Sequence, residues 1–125
     1  MKKILLVLSV VLSIFLVSCG SSSGVQNITA AEAKTMRDND SSVIFVDVRE
    51  QYEYDAEHIQ AAILLPLATI DTDAVNVIPD KTAVYIIYCR SGNRSATGSQ
   101  ALIDLGYENI YDMGGIIDWP YGTVS

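Results

Sequence analysis

Tyr88-Cys89-Arg90-Ser91-Gly92-Asn93-Arg94-Ser95 decides the fold, because it places a thiol where a strand meets a helix. Upstream, Ala83-Val84-Tyr85-Ile86-Ile87-Tyr88 is a short apolar run of β-branched and aromatic residues, the composition of a buried strand. Downstream, Ala96, Ser99, Leu102 and Ile103 recur at helical spacing between Ser95 and Leu105, and Gly106 stands where a helix C-terminus favours glycine. The loop between them holds Gly92 and two arginines. Backbone N–H groups, a helix N-terminus and guanidinium charge all favour thiolate over thiol. That is the setting of a nucleophile.

Working outward, Val25 to Ile28 reads as an edge strand and Thr29-Ala30-Ala31-Glu32 as a capping box opening a helix from Ala30 to Arg37. Asp38 to Ser41 is a polar turn, and Val43 to Val48 is a nearly unbroken apolar strand of the kind buried on both faces. Arg49 to Glu57 suggests a short irregular helix, Ala61 to Leu65 a strand stopped by Pro66, and Leu67 to Val77 a further helix. Ile110-Tyr111 reads as a brief strand, Met113-Gly114-Gly115 as a turn, and Ile116 to Trp119 as at most one helical turn. Strands alternating with helices predict an α/β domain with a mainly parallel central sheet flanked by helices. In such sheets, sites form at the carboxyl ends of strands, and Cys89 directly ends one.

The N-terminus has a different character. Lys2 and Lys3 precede an apolar run from Ile4 to Val17, too short for the roughly 20 residues of a bilayer span. Leu16-Val17-Ser18-Cys19 matches the lipobox of bacterial lipoprotein signal peptides. That resemblance implies a signal peptide at 1–18, cleavage before Cys19 and a diacylglyceryl thioether on its sulfur. Residues 19–24 are then the lipidated cysteine and a Gly/Ser tether, and residues 25–125 are one domain. The expected location is the extracytoplasmic side of the cell envelope, periplasmic or cell-surface, with the membrane met through the lipid anchor.

Eight basic and fifteen acidic side chains give a net charge of −7, which becomes more negative if Lys2 and Lys3 are removed. An acidic surface argues against nucleic acid as partner. The chain has two cysteines; with Cys19 consumed by lipid, Cys89 has no disulfide partner. Its neighbours Arg90, Ser91, Asn93 and Arg94 favour reactivity over the apolar burial of a structural cysteine. One free cysteine and the single histidine, His58, supply no usual metal-ligand set, and no cofactor is expected. A monomer is expected on the tether.

Taken together, four segments resemble a single-domain rhodanese, a sulfurtransferase: Val46-Asp47-Val48-Arg49-Glu50 with Tyr54; His58-Ile59 through Leu65-Pro66; the Cys89 loop; and Gly106-Tyr107 with Met113-Gly114-Gly115-Ile116 and Trp119. One departure is visible: where the family commonly has glycine in His-Ile-x-Gly-Ala, this chain has Ala61. The resemblance implies that Cys89 takes the sulfane sulfur of a thiosulfate- or polysulfide-type donor as a persulfide and yields it to a thiol or cyanide. The amides of Arg90, Ser91, Gly92, Asn93, Arg94 and Ser95 would cradle the anionic sulfur. Arg90 is expected at the mouth of the site, attracting the anionic donor. Arg94 would orient the loop or pair with a carboxylate. Ser91, Asn93 and Ser95 are expected to shape and cap it. Asp47 and Arg49 are expected as a supporting ion pair with Asp47 turned towards the cysteine loop, His58 as structural, and Trp119 packed on the sheet or at the rim of the site.

Other classes place different demands on this loop. Dual-specificity phosphatases and arsenate reductases need five residues between cysteine and arginine, and here Arg94 comes one residue early. A non-catalytic rhodanese-like binding or sulfur-carrier module, or a thiol redox protein, is the alternative that keeps Cys89.

Overall fold

The computed structural model describes residues 24–125. The expected signal peptide, the expected lipidation at Cys19 and the expected tether up to Ser23 lie outside the described residues. Five strands, β1 (Gln26–Asn27), β2 (Ile44–Asp47), β3 (Ile63–Leu64), β4 (Val84–Cys89) and β5 (Asn109–Gly115), form one sheet in the order β1-β5-β4-β2-β3. Every pairing is parallel, so the mainly parallel sheet expected from the apolar runs is wholly parallel.

Four helices cover it: α1 (Ala30–Asn39), α2 (Gln51–Ala56), α3 (Ile70–Val77) and α4 (Asn93–Asp104). The capping box at α1 is formed, with Glu32 N–H donating to Thr29 Oγ1 (3.0 Å) and Thr29 N–H to Glu32 Oε1 (2.8 Å). Alternation along β4 splits the core into two clusters. Tyr85, Ile87 and Cys89 join Ile70, Ala74 and Leu102 under α3 and α4; Ile86 and Tyr88 join Phe45, Ala33 and Trp119 on the other face.

Several boundaries differ from the sequence reading: α1 continues through Asp38 and Asn39, where a polar turn is expected, and three further differences bear on the site. α4 opens at Asn93, two residues early, because Gly92 at its N-cap adopts φ 114° and turns the chain directly into the helix. β3 spans two residues, since Ala61 just before it has φ 67°. The Met113-Gly114-Gly115 segment is strand: β5 continues through it with a bulge, pairing Ile87 with Asp112 and then Tyr88 with Gly114. Glycines that suggest a turn here serve a bulge and a close backbone approach.

Chain direction sets where a site can form. From β2 the chain moves outward to β3, whereas from β4 it moves the opposite way to β5. Their carboxyl ends therefore flank the switch point, where open α/β sheets bind ligands.

Candidate active site

Cys89 is the last residue of β4, and Gly92 begins the turn into α4 three residues later. The thiol is 1% exposed, and the Gly92 N–H donates to its Sγ at 3.0 Å. Of the six amides expected around the sulfur, this one makes the contact. The first amides of α4 lack an intrahelical acceptor and crown the same turn. Ser95 is fully buried; its Oγ donates to Gly92 O (3.0 Å) and secures the turn, so it shapes the loop as expected. Ser91 and Asn93 are exposed.

The two arginines divide. Arg90 is exposed at the start of the loop, and its carbonyl accepts from Ile117 N–H (3.3 Å). Arg94 turns to α2: its Nη1 and Nη2 donate to Glu53 Oε2 and Oε1 at 2.7 and 3.0 Å. The pair is reciprocal. Hydrogen bonds from Arg94 lower the Glu53 pKa to about 2 against the cost of burial, and Glu53 raises that of Arg94. Glu53 Oε2 also accepts Glu50 N–H (2.9 Å), so one carboxylate holds both the start of α2 and the cysteine loop. With its guanidinium committed to Glu53, Arg94 braces the loop instead of clasping a tetrahedral oxyanion, in keeping with the short cysteine–arginine spacing.

Asp47 and Arg49 form the expected ion pair. Nε of Arg49 donates to both carboxylate oxygens (2.9 and 3.0 Å) and Nη2 to Oδ2 (2.7 Å), with both side chains almost wholly buried. Burial works against the Arg49 charge, but the Asp47 carboxylate more than offsets it and raises the pKa. Asp47 does not turn towards the cysteine. It alternates with Val46 and so lies on the face of Phe45 and Tyr88, whereas Cys89 belongs to the opposite cluster. The pair acts at a distance, through Arg49 Nη2 on Glu57 O (2.6 Å) and through Tyr88, the residue before Cys89. Burial first, and then the Asp47 charge, push the Tyr88 hydroxyl pKa well up, so it stays neutral and accepts Ile59 N–H (3.1 Å).

His58 is structural, as expected: it stacks on Tyr54 at 3.7 Å, its Nδ1 lies 2.8 Å from Tyr54 O, and its backbone bridges Val124. Trp119 packs against Phe45 at 5.4 Å, under the sheet. No His/Cys/Asp/Glu cluster able to hold a metal occurs among the described residues.

The model of the rhodanese-like domain matches residues 29–120. The chain belongs to the rhodanese-like family. Among curated rhodanese-like relatives, thiosulfate sulfurtransferase PspE of Escherichia coli is 32% identical over 74 residues, 59% of this chain and 71% of that protein. The putative sulfur carrier protein YrkF of Bacillus subtilis is 30% identical over 107 residues, 85% of this chain but 57% of that protein. Among solved structures, a rhodanese-like domain protein from Staphylococcus aureus superposes with a TM-score of 0.70 at 32% identity, covering 79% of this chain and 96% of that one. An E. coli rhodanese solved with anions gives 0.62 at 30% identity, covering 66% and 98%.

Two supports of this rhodanese-like loop were not singled out by sequence reasoning. Glu53 gave no signal beyond lying in a charged stretch, because its partner is 41 residues away. Gly115 carried a signal that was read as a turn. A Cβ on it would lie 2.4 Å from Arg90 O and 2.8 Å from Ser91 Cα, so only glycine lets β5 approach the back of the cysteine loop.

Proposed function

We propose that this rhodanese-like domain is a sulfurtransferase working through a Cys89 persulfide. The observation that carries this reading is the Gly92 N–H held 3.0 Å from the Cys89 Sγ at the strand-to-helix turn. That amide and the open end of α4 stabilise negative charge on sulfur, first as thiolate and then as persulfide. The Cys89 thiolate attacks the outer sulfur of thiosulfate or a polysulfide. An S–S bond forms at Cys89, the donor S–S bond breaks, and sulfite or the shortened polysulfide leaves with the electron pair. A thiolate or cyanide then attacks the terminal sulfur and releases Cys89 as thiolate. No general base is needed at the moment of attack. Arg90, exposed beside the thiol, draws in the anionic donor, and the loop amides from Arg90 to Ser95 receive it.

We also propose that the domain is a monomer tethered by lipid at Cys19 to the extracytoplasmic side of the cell envelope, with residues 1–18 removed as signal peptide. The support is the lipobox followed by the Gly/Ser run. Incorporation of labelled fatty acid that disappears in Cys19→Ala would establish the anchor; equal labelling of both would exclude it.

The test of the chemistry is intact mass after incubation with thiosulfate or polysulfide, followed by cyanide and a thiocyanate assay. The wild type gains one sulfur atom that cyanide removes, and Cys89→Ser gains none. A folded wild type with a free thiol that takes up no sulfur from either donor overturns the enzymatic reading. The similarity to the putative sulfur carrier protein YrkF favours the second reading, a carrier or binding module, in that event.

A further inference from the structure

On the face of the sheet away from Cys89, a cavity of about 320 Å³ opens between α1 and the C-terminal segment. Lys34, Arg37, Ile59, Gln60, Trp119 and Tyr121 line it, with Asp38 at its edge. The volume is at the lower end of the range typical of small-molecule sites.

Its charge is concentrated on one group. Asp38 is committed to Lys34, with Nζ 2.6 Å from Oδ2. Arg37 lies over the Phe45 ring at 4.0 Å and has no ion pair or hydrogen bond among the described residues. Ring-face contact holds a guanidinium in place without using its N–H donors. Burial also disfavours the Arg37 charge and lowers its pKa, a penalty that an incoming anion relieves.

The aromatic part of the lining is held in place. Trp119 Nε1–H donates to Gly122 O (2.9 Å), and its ring meets Tyr121 edge-on at 4.9 Å. The segment beyond is pinned by the His58–Val124 backbone bonds (2.8 and 2.9 Å) and by Thr123 Oγ1 donating to Glu57 Oε1 (2.8 Å). The cavity is therefore built before any ligand arrives, with Arg37, Trp119 and Tyr121 in one lining and Lys34 Nζ 5.6 Å from the Tyr121 ring.

We propose that this cavity binds a small organic anion, with a carboxylate or phosphate ester on Arg37 and a flat apolar body against Trp119 and Tyr121. The site is independent of the sulfur chemistry at Cys89, which lies across the sheet. On a chain of net charge −7, an unpaired guanidinium in a preformed pocket gives an anion a local reason to bind.

Trp119 is the single tryptophan, so its indole N–H gives one isolated amide-correlation peak in an NMR spectrum of the protein. Phenylacetate and phenyl phosphate should each move that peak saturably. Phenylacetamide, the neutral match of the first, should bind roughly tenfold more weakly. Arg37→Gln should abolish the difference between acid and amide, Arg37→Lys should keep part of it, and Cys89→Ser should leave it unchanged. Retained peak dispersion shows that the Arg37 variants are folded. Absence of a saturable shift with both anions, an equal response to the amide, or full discrimination in Arg37→Gln overturns the proposal. Inorganic phosphate saturating the same peak equally well would overturn the requirement for an apolar body.

Discussion

Arg94 on the first turn of α4 and Glu53 in the middle of α2 are 41 residues apart in the chain and joined by two hydrogen bonds of 2.7 and 3.0 Å. Through this pair the cysteine loop is fastened to the segment that follows β2. The same carboxylate caps its own helix at Glu50 N–H, so its removal loosens two elements at once.

Glu53→Gln should therefore lower stability by about 1 kcal/mol at neutral pH, the scale of a partly exposed ion pair, and reduce sulfur transfer several-fold by freeing Arg94. The pH dependence has a definite sign. The Glu53 pKa falls from 4.5 to about 2 on folding, so its contribution is complete above pH 4.5 and disappears as pH falls through about 2. Thermal unfolding of the two proteins should differ at pH 6 and converge towards pH 2. A constant difference across that range would refute the linkage.

Gly115→Ala should damage the site from behind. Its Cβ would meet the Arg90 carbonyl at 2.4 Å, and a backbone neighbour cannot swing away as a side chain can. A loss of roughly 1–3 kcal/mol from overpacking is expected, together with a fall in the rate of persulfide formation measured at a temperature where the variant is folded. Unchanged kinetics in the folded variant would show that the loop tolerates the displacement.

Ala61→Gly should stabilise the protein. Ala61 has φ 67°, the left-handed region, which costs an L-residue roughly 1–2 kcal/mol. Glycine removes that cost but adds freedom to the unfolded chain, so a net gain of about 0.5–1 kcal/mol should appear as a small rise in Tm. A fall in Tm would mean that the methyl group contributes more than the backbone strain costs.

Asp47→Ala should be the most destabilising of these substitutions. It leaves the Arg49 guanidinium, 4% exposed, without its carboxylate in the core, a loss of about 3–5 kcal/mol. Because Asp47 lies on the face opposite Cys89, activity should track the folded fraction as denaturant is added. Activity lost well before the fold would instead place Asp47 in direct service of the site.

The parallel sheet and the position of Cys89 at a strand end were legible because they depend on local pattern. Val43 to Val48 and Ala83 to Tyr88 are apolar runs that can be satisfied only by burial on both faces, and Cys89 ends the second of them. Thr29 and Glu32 announce a helix start because both partners of the capping box lie within one turn. Asp47–Arg49 as an ion pair was readable for the same reason, since two residues of spacing keep the partners close; His58 as a structural residue rested on the resemblance to the family.

What the chain pattern left open depends on distance. Whether Met113-Gly114-Gly115 turns or continues as strand rests on its partner, β4, since only pairing with Tyr88 and Cys89 reveals the bulge. The face taken by Asp47 follows from strand alternation within a finished sheet. Composition, periodicity and the Cys89 loop determined by themselves an α/β domain with a thiol at a strand-to-helix turn, because these are properties of neighbouring residues. Only the tertiary structure decided that Glu53 holds Arg94, that Gly115 backs Arg90, and that Arg37 and Trp119 line one cavity. Each of these is a contact between segments far apart in sequence, and short-range pattern carries no record of which distant side chains meet when the core closes.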